Sequence, residues 1–215
     1  MSEDSAQQTP EEISEYWARY YKVTVDRPAW ETVRTAIAGF AAQDAGAPSS
    51  RFAVDLGCGA GRDARELLKA GWRVLAVDRE PAAIETLTAA TPAELRPMLQ
   101  GRVEDLATVQ VPPCDLVNAS LCLPFLAPDA FWPTWRRVLD ALPVGGRVAA
   151  MLFGDMDASA SDPTMTCVPP DRIRDSLTGF DLEHWSVTEE DRPTALGEMH
   201  HFHLIELVAR RTSQD

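Results

Sequence analysis

From residue 51 onward, short apolar runs alternate with stretches whose apolar positions recur every three or four residues. The runs read as buried strands and the stretches as amphipathic helices. RFAVDL (51–56) is the first strand, RDARELLKAG a helix closed by Gly71, and WRVLAVD the next strand. Pro81 starts a helix running through Ile84 and Leu87. A third strand is predicted near 97–103, a fourth at CDLVNAS (114–120), a helix over 129–141 ending before Pro143, and a fifth strand in GGRVAAMLF. After the loop GDMDASASDPTMTCVPP come a short helix, DRIRDSL, and two strands, FDLEHWSVTEE and MHHFHLIELVAR. Strands separated by helices pair parallel through right-handed crossovers, whereas the last two, with no helix between them, can pair antiparallel. The expected fold class is α/β: a doubly wound, mixed seven-stranded sheet with helices on both faces and an antiparallel C-terminal hairpin.

Upstream, bulky residues at helical spacing mark two helices within 11–42. Ile13, Tyr16, Trp17 and Tyr20 define the first, and Trp30, Val33, Ile37 and Phe40 the second, with Pro28 in its first turn. Residues 1–10 read as a disordered tail, and QDAGAPSS (43–50) as a linker. The expected plan is that tail followed by a single domain over 11–215, with a helical lid at 11–49 and the sheet core at 50–215. The 215 residues, 45% hydrophobic and 25% charged, suit one domain with a full core. A net charge of -13, from 33 acids against 20 bases, counts against nucleic acid and against an anionic membrane as partners. No stretch approaches the roughly twenty apolar residues of a membrane span. The start MSEDSAQQTP is not a signal peptide, and Cys58, Cys114, Cys122 and Cys167 form no C-x-x-C pair. The expected location is the cytoplasm, with reduced thiols.

VDLGCGAG (54–61) follows the first strand, and Asp78 ends the second. In such a sheet, ligands bind beyond the carboxyl ends of the strands. Glycines there admit close approaches that a side chain blocks, and a carboxylate at Asp78 can accept two hydrogen bonds from a ribose diol. A dinucleotide fingerprint needs glycine at position 62; this chain has Arg62. Its glycines run G-x-G-x-G behind Asp55, an acid that suits a cationic ligand better than a pyrophosphate. These residues resemble the first two motifs of the class I S-adenosylmethionine-dependent methyltransferases. GRVEDLA (101–107), CDLVNAS and LPVGGRVAAMLF are similar to the motifs that follow. Within that family the chain looks closest to the small bacterial tellurite-resistance-like and thiopurine-methyltransferase-like group. The resemblance implies a Rossmann-like domain, S-adenosyl-L-methionine as cofactor, and methyl transfer to a small-molecule acceptor by in-line displacement. It sets Gly57, Gly59 and Gly61 along the methionine portion with Asp55 near its ammonium group, Cys58 and Arg79 bordering the cofactor, and Asp78 on the ribose. It sets Val103, Glu104 and Asp105 around the adenine, and Asn118, Ala119 and Ser120 beneath the sulfonium. A nicotinamide-dependent oxidoreductase and a non-catalytic cofactor-binding module of the same fold are the alternatives.

All three tyrosines lie in SEYWARYYKV, and Tyr16 and Tyr20 share one helical face. They read either as an aromatic cover over a sulfonium or as packing of the helix onto the domain. Three of the four histidines lie in GEMHHFHLIEL, where alternation sets His201 and His203 on one face and His200 on the other. His201, His203, Asp155 and Tyr20 are the candidate catalytic residues; the histidines read as plainly as polar strand residues near the rim, and Asp155 as a loop acid. The i, i+2 histidine pair lacks a third ligand, so no metal is expected. The expected partners are a small-molecule substrate and no nucleic acid or membrane, in a monomer or homodimer.

Overall fold

The computed structural model of the chain describes residues 9–44 and 50–213. Residues 1–8 of the expected tail and 45–49 of the expected linker lie outside the described residues. Thr9 and Pro10 belong to a helix start rather than to a tail. Thr9 caps α1 (Pro10–Thr24): its amide donates to the Glu12 carboxylate at 2.7 Å, and the Glu12 amide donates to its hydroxyl at 3.3 Å. α2 (Glu31–Gln43) starts beyond Pro28, which therefore sits in the connector and not in the first turn.

Seven strands form one sheet: β1 (Phe52–Leu56), β2 (Arg73–Asp78), β3 (Leu99–Val103), β4 (Leu116–Ser120), β5 (Arg147–Phe153), β6 (Phe180–Pro193) and β7 (Met199–Arg211). Their order is β3-β2-β1-β4-β5-β7-β6. The first five in that order are parallel, and β7 is antiparallel to both β5 and β6. Because helices cover both faces, the inner strands are apolar on both, and β5 is buried along its whole length. On one face, Val54, Leu56, Val117 and Val148 pack under α5 (Pro128–Asp140) and α6 (Pro170–Asp175) through Phe131, Trp135 and Ile173. On the other, Ala53, Ala76, Ala149 and Val208 carry α2, α3 (Arg62–Lys69) and α4 (Pro81–Ala90) through Val33, Phe40, Leu67 and Leu87. α2 is thus part of the sheet's cover, and of the expected lid only α1 is left to lie over the strand ends. Strand order reverses between β1 and β4, which opens a crevice at their carboxyl ends.

Two glycines let the chain turn at that crevice. Gly57 has φ +59°, and a Cβ there would lie 2.2 Å from the Cβ of Cys122. Gly61 has φ +77° at the start of α3, and a Cβ would lie 2.2 Å from Cδ1 of Leu87 in α4. Gly61→Ala is therefore expected to cost roughly 2–4 kcal/mol, from the left-handed backbone and the clash. The thermal midpoint should fall by several degrees. An unchanged midpoint would show that the α3–α4 contact has room for a methyl group.

Candidate active site

A cavity of about 340 Å³ opens at the carboxyl ends of β1, β2 and β4. Its floor is the turn after β1 together with Asp55, Asp78 and Asn118. α1 contributes Tyr16, Trp17, Tyr20 and Tyr21 to one wall, and the tip of the β6–β7 hairpin contributes Thr194, Glu198 and His200 to another.

Asp55 and Asp63 dominate the electrostatics of the floor. β1 and β4 pair in a register that sets Asp55 beside Asn118, and the first turn of α3 brings Asp63 to the same point. Asn118 Nδ2 donates to both carboxylates, at 2.6 Å to Asp55 Oδ1 and 3.1 Å to Asp63 Oδ2. Burial, then repulsion from Asp63, pushes the Asp55 carboxyl well above its usual range, with the Asn118 bond opposing. Burial raises Asp63 as well, against the Trp30 amide and the Arg62 charge. Asp55 Oδ2 has no hydrogen-bond partner among the described residues; the Ala64 amide favours its charged form only as a lesser effect. An unpaired buried polar atom of this kind costs about 1–3 kcal/mol. A cationic ligand entering the cavity relieves that cost, whereas a phosphate adds another negative charge.

The amino end of α3, where a dinucleotide's pyrophosphate would rest, is covered by the α1–α2 connector. The Trp30 amide donates to Asp63 Oδ1 at 2.9 Å. Arg62 Nε donates to the Pro28 carbonyl at 2.7 Å, and its guanidinium lies 4.1 Å from the Trp30 ring centre. Arg62, the residue that departs from the dinucleotide fingerprint, is the clamp that holds this cover down.

Asp78 ties the floor to the roof. Its Oδ2 accepts from the Gly59 amide at 2.9 Å, and its Oδ1 from the Glu80 amide at 3.0 Å and, more weakly, the Tyr21 hydroxyl at 3.4 Å. Burial raises its pKa, while the Glu80 and Gly59 amides hold it down.

Most of the residues expected at a cofactor do line this cavity. Asp55, Gly57, Cys58 and Gly59 come from the first motif, Asp78 and Arg79 from the second, Asp105, Asn118 and Ser120 from the later strands, and Tyr16 and Tyr20 from α1. Four do not. Gly61 packs on Leu87 instead, Val103 is 52% exposed, and Glu104 pairs with Arg102 at 3.3 Å. Ala119 points into the core on the opposite face, because strand alternation turns it away from its two neighbours.

The expected catalytic set separates in space. Tyr20 is in the cavity wall, and burial raises the pKa of its phenol. His201 stands outside on the hairpin, 2.8 Å from Asp191 and 3.3 Å from Glu189, and its bond to Asp191 raises its pKa. His203 is buried under the loop after β5, where its Nδ1 accepts from the Met156 amide at 3.0 Å. Asp155 lies 3.7 Å from that nitrogen, also off the cavity. The histidine in the cavity is His200, whose Nε2 is 2.9 Å from Asp157 Oδ1. Alternation in the sequence separates His200 from the other two but does not say which face meets the ligand. The available signal was Phe202 and Leu204, apolar residues on the same face as His200 that pack with Met151 and Phe153.

Residues 54–148 match a family model described as a methyltransferase domain. No curated protein sequence matches the chain. Among solved structures, TehB from Haemophilus influenzae aligns at a TM-score of 0.66 and 16% identity, over 82% of this chain and 61% of its own length. A TehB-like SAM-dependent methyltransferase from Corynebacterium glutamicum aligns at 0.60 and 21% identity, over 95% of this chain and 100% of its own. The 1,6-didemethyltoxoflavin-N1-methyltransferase of Burkholderia thailandensis, solved with 1,6-didemethyltoxoflavin and S-adenosylhomocysteine, aligns at 0.59 and 19% identity, over 98% and 94%. Residues 54–148 thus match a methyltransferase domain, in a chain that shares the fold of these methyltransferases.

The raised Asp55 carboxyl has a signed consequence for stability. In the unfolded chain Asp55 loses its proton near pH 4, while the folded chain keeps it to higher pH. Folding stability therefore declines as pH rises from there toward the folded-state value. Asp55→Asn removes this decline. Its thermal midpoint in the absence of ligand should exceed that of the parent by an amount that grows with pH. At neutral pH the difference should be about 2–4 °C, for roughly 1 kcal/mol. A variant less stable than the parent at every pH would contradict the assignment of strain to this carboxylate.

Proposed function

We propose that this chain is an S-adenosylmethionine-dependent methyltransferase, and that it transfers the cofactor's methyl group to a small molecule held in the same cavity, by in-line displacement. The unpartnered Asp55 Oδ2, in the floor of a cavity of about 340 Å³, carries the proposal. A buried carboxylate oxygen without a donor fits an ammonium group. The volume falls within the roughly 300–1,000 Å³ of small-molecule sites, and a chain with net charge -13 has little attraction for a nucleic-acid acceptor.

When bound, S-adenosylmethionine supplies an electrophilic methyl group whose leaving group is a neutral thioether. Asp55 takes the ammonium end, and Gly57 and Gly59 admit the methionine portion. Asp78 takes the ribose hydroxyls; the long Tyr21 bond is the contact most easily exchanged for one of them. Asp105 and Leu106 border the adenine, and Asn118 and Ser120 lie on the sulfur side. Tyr16, Trp17 and Tyr20 exclude water and offer ring faces to positive charge, worth on the order of 1 kcal/mol. Alignment of acceptor and methyl group supplies much of the rate. α1 serves as the lid of a single domain, and the chain's free thiols suit the cytoplasm. No helix among the described residues is long and apolar enough to cross a membrane.

Asp78→Asn should weaken S-adenosylhomocysteine binding by about 10–100-fold in calorimetry, the loss of a charge-assisted pair of hydrogen bonds. NADH should not bind the parent protein. Unchanged affinity in the variant would remove Asp78 from the ribose role, and NADH binding in place of S-adenosylhomocysteine would overturn the cofactor assignment.

A further inference from the structure

The cavity wall away from the glycine turn is aromatic and holds one histidine. Trp17, Phe125, Phe153 and Phe202 form a connected series, with successive ring centres 5.1, 6.1 and 6.4 Å apart. His200 closes the series, 4.5 Å from Phe202 and 6.2 Å from Phe153. Behind it stands Asp157, whose side chain is fully buried. Its Oδ1 accepts from the Ser159 amide and from His200 Nε2, each at 2.9 Å, and its Oδ2 accepts from the His203 amide at 3.0 Å.

With three donors converging on it, Asp157 is an acceptor throughout, so Nε2 of His200 carries the hydrogen. Nδ1 is then the basic nitrogen, and it has no hydrogen-bond partner among the described residues. Of the three bonds to Asp157, the one from the Ser159 amide is local to the loop after β5 and the one from the His203 amide fastens that loop to β7. The third fixes the tautomer of a ring in the cavity wall, which the loop does not require. A thiol or selenide acceptor ionises without help, so a positioned base points to a nucleophile that holds its proton more tightly. The aromatic lining favours a flat acceptor, with Thr194 and Glu198 of the hairpin tip beside it as polar groups.

We propose that the acceptor is a planar aromatic or heteroaromatic molecule bearing an acidic hydroxyl or ring N–H, and that Nδ1 of His200, oriented by Asp157, removes that proton. The proposal rests on the cofactor assignment above. The proton passes to Nδ1, and Asp157 stabilises the imidazolium formed. The electron pair left on the acceptor oxygen or nitrogen forms the bond to the methyl carbon as the carbon–sulfur bond breaks. Sulfur keeps that bond's electrons, leaving S-adenosylhomocysteine, and the imidazolium returns its proton to water once product departs.

4-Nitrophenol tests this, because its phenolate is yellow and its neutral form is not. The dye is titrated into the full chain loaded with S-adenosylhomocysteine, beside His200→Phe, which preserves the ring wall without a base, and His200→Gln. S-adenosylhomocysteine affinity, measured on each protein, reports the fold and the cofactor site separately. In the parent at about pH 6, the bound dye should be phenolate in about ten-fold greater proportion than free dye. Both variants should bind S-adenosylhomocysteine unchanged and hold the dye neutral. Neutral dye in the parent, the same phenolate fraction in the variants, or no dye binding would each overturn the proposal. Failure of the parent to bind S-adenosylhomocysteine would overturn the cofactor assignment, and this proposal with it.

Discussion

Two carboxylates buried side by side and bridged by one amide decide what this cavity can hold. Asp55 and Asp63 share Asn118 as their common donor. Burial and mutual repulsion make the charged pair costly, and the Arg62 charge offsets this only in part, at Asp63. An apolar replacement of similar shape is commonly neutral or more stable. The fold nevertheless builds the pair from its most rigid parts, adjacent parallel strands and the first turn of α3. The strain thus sits where a cation can discharge it, and the same charges turn away a pyrophosphate.

The remaining features of the site hang from this floor. Arg62 and Asp63 pin the α1–α2 connector across the start of α3. Asp78 links the glycine turn to Tyr21 in α1. Trp17 lies 6.2 Å from the Tyr21 ring and 5.1 Å from Phe125. The aromatic cover carried by α1 is therefore continuous, through Trp17, with the wall that Phe125, Phe153 and Phe202 supply from other elements.

The framework was legible in the sequence because its signals are local. Strand, glycine turn, helix and a second strand ending in Asp78 can be read from neighbours within a few dozen residues, and all seven strands follow from periodicity and from the missing last crossover. The acceptor side was not legible, because its partners are distant. His200 meets Asp157 across 43 positions, and alternation alone left His201 and His203 as attractive as His200. Their actual surroundings, an acidic rim for one and the Met156 amide for the other, come from how the long hairpin folds back over the loop after β5. Ala119 departs for the opposite reason: the motif spans three consecutive residues, while strand alternation turns the middle one to the other face. Thr9 and Pro10 read as tail in the sequence because a polar, acidic start masks the reciprocal cap that Thr9 and Glu12 form.

The most direct measurement is the proton balance of cofactor binding, from S-adenosylhomocysteine titrations by calorimetry in buffers of different ionisation enthalpy, from about pH 5 upward. An ammonium group settling on Asp55 lowers a pKa that burial had raised, so binding should release protons over the pH range between the two values. That release should vanish in Asp55→Asn. Binding without proton release by the parent at any pH, or an undiminished release by the variant, would contradict the claim that this buried carboxylate receives the cofactor's positive end.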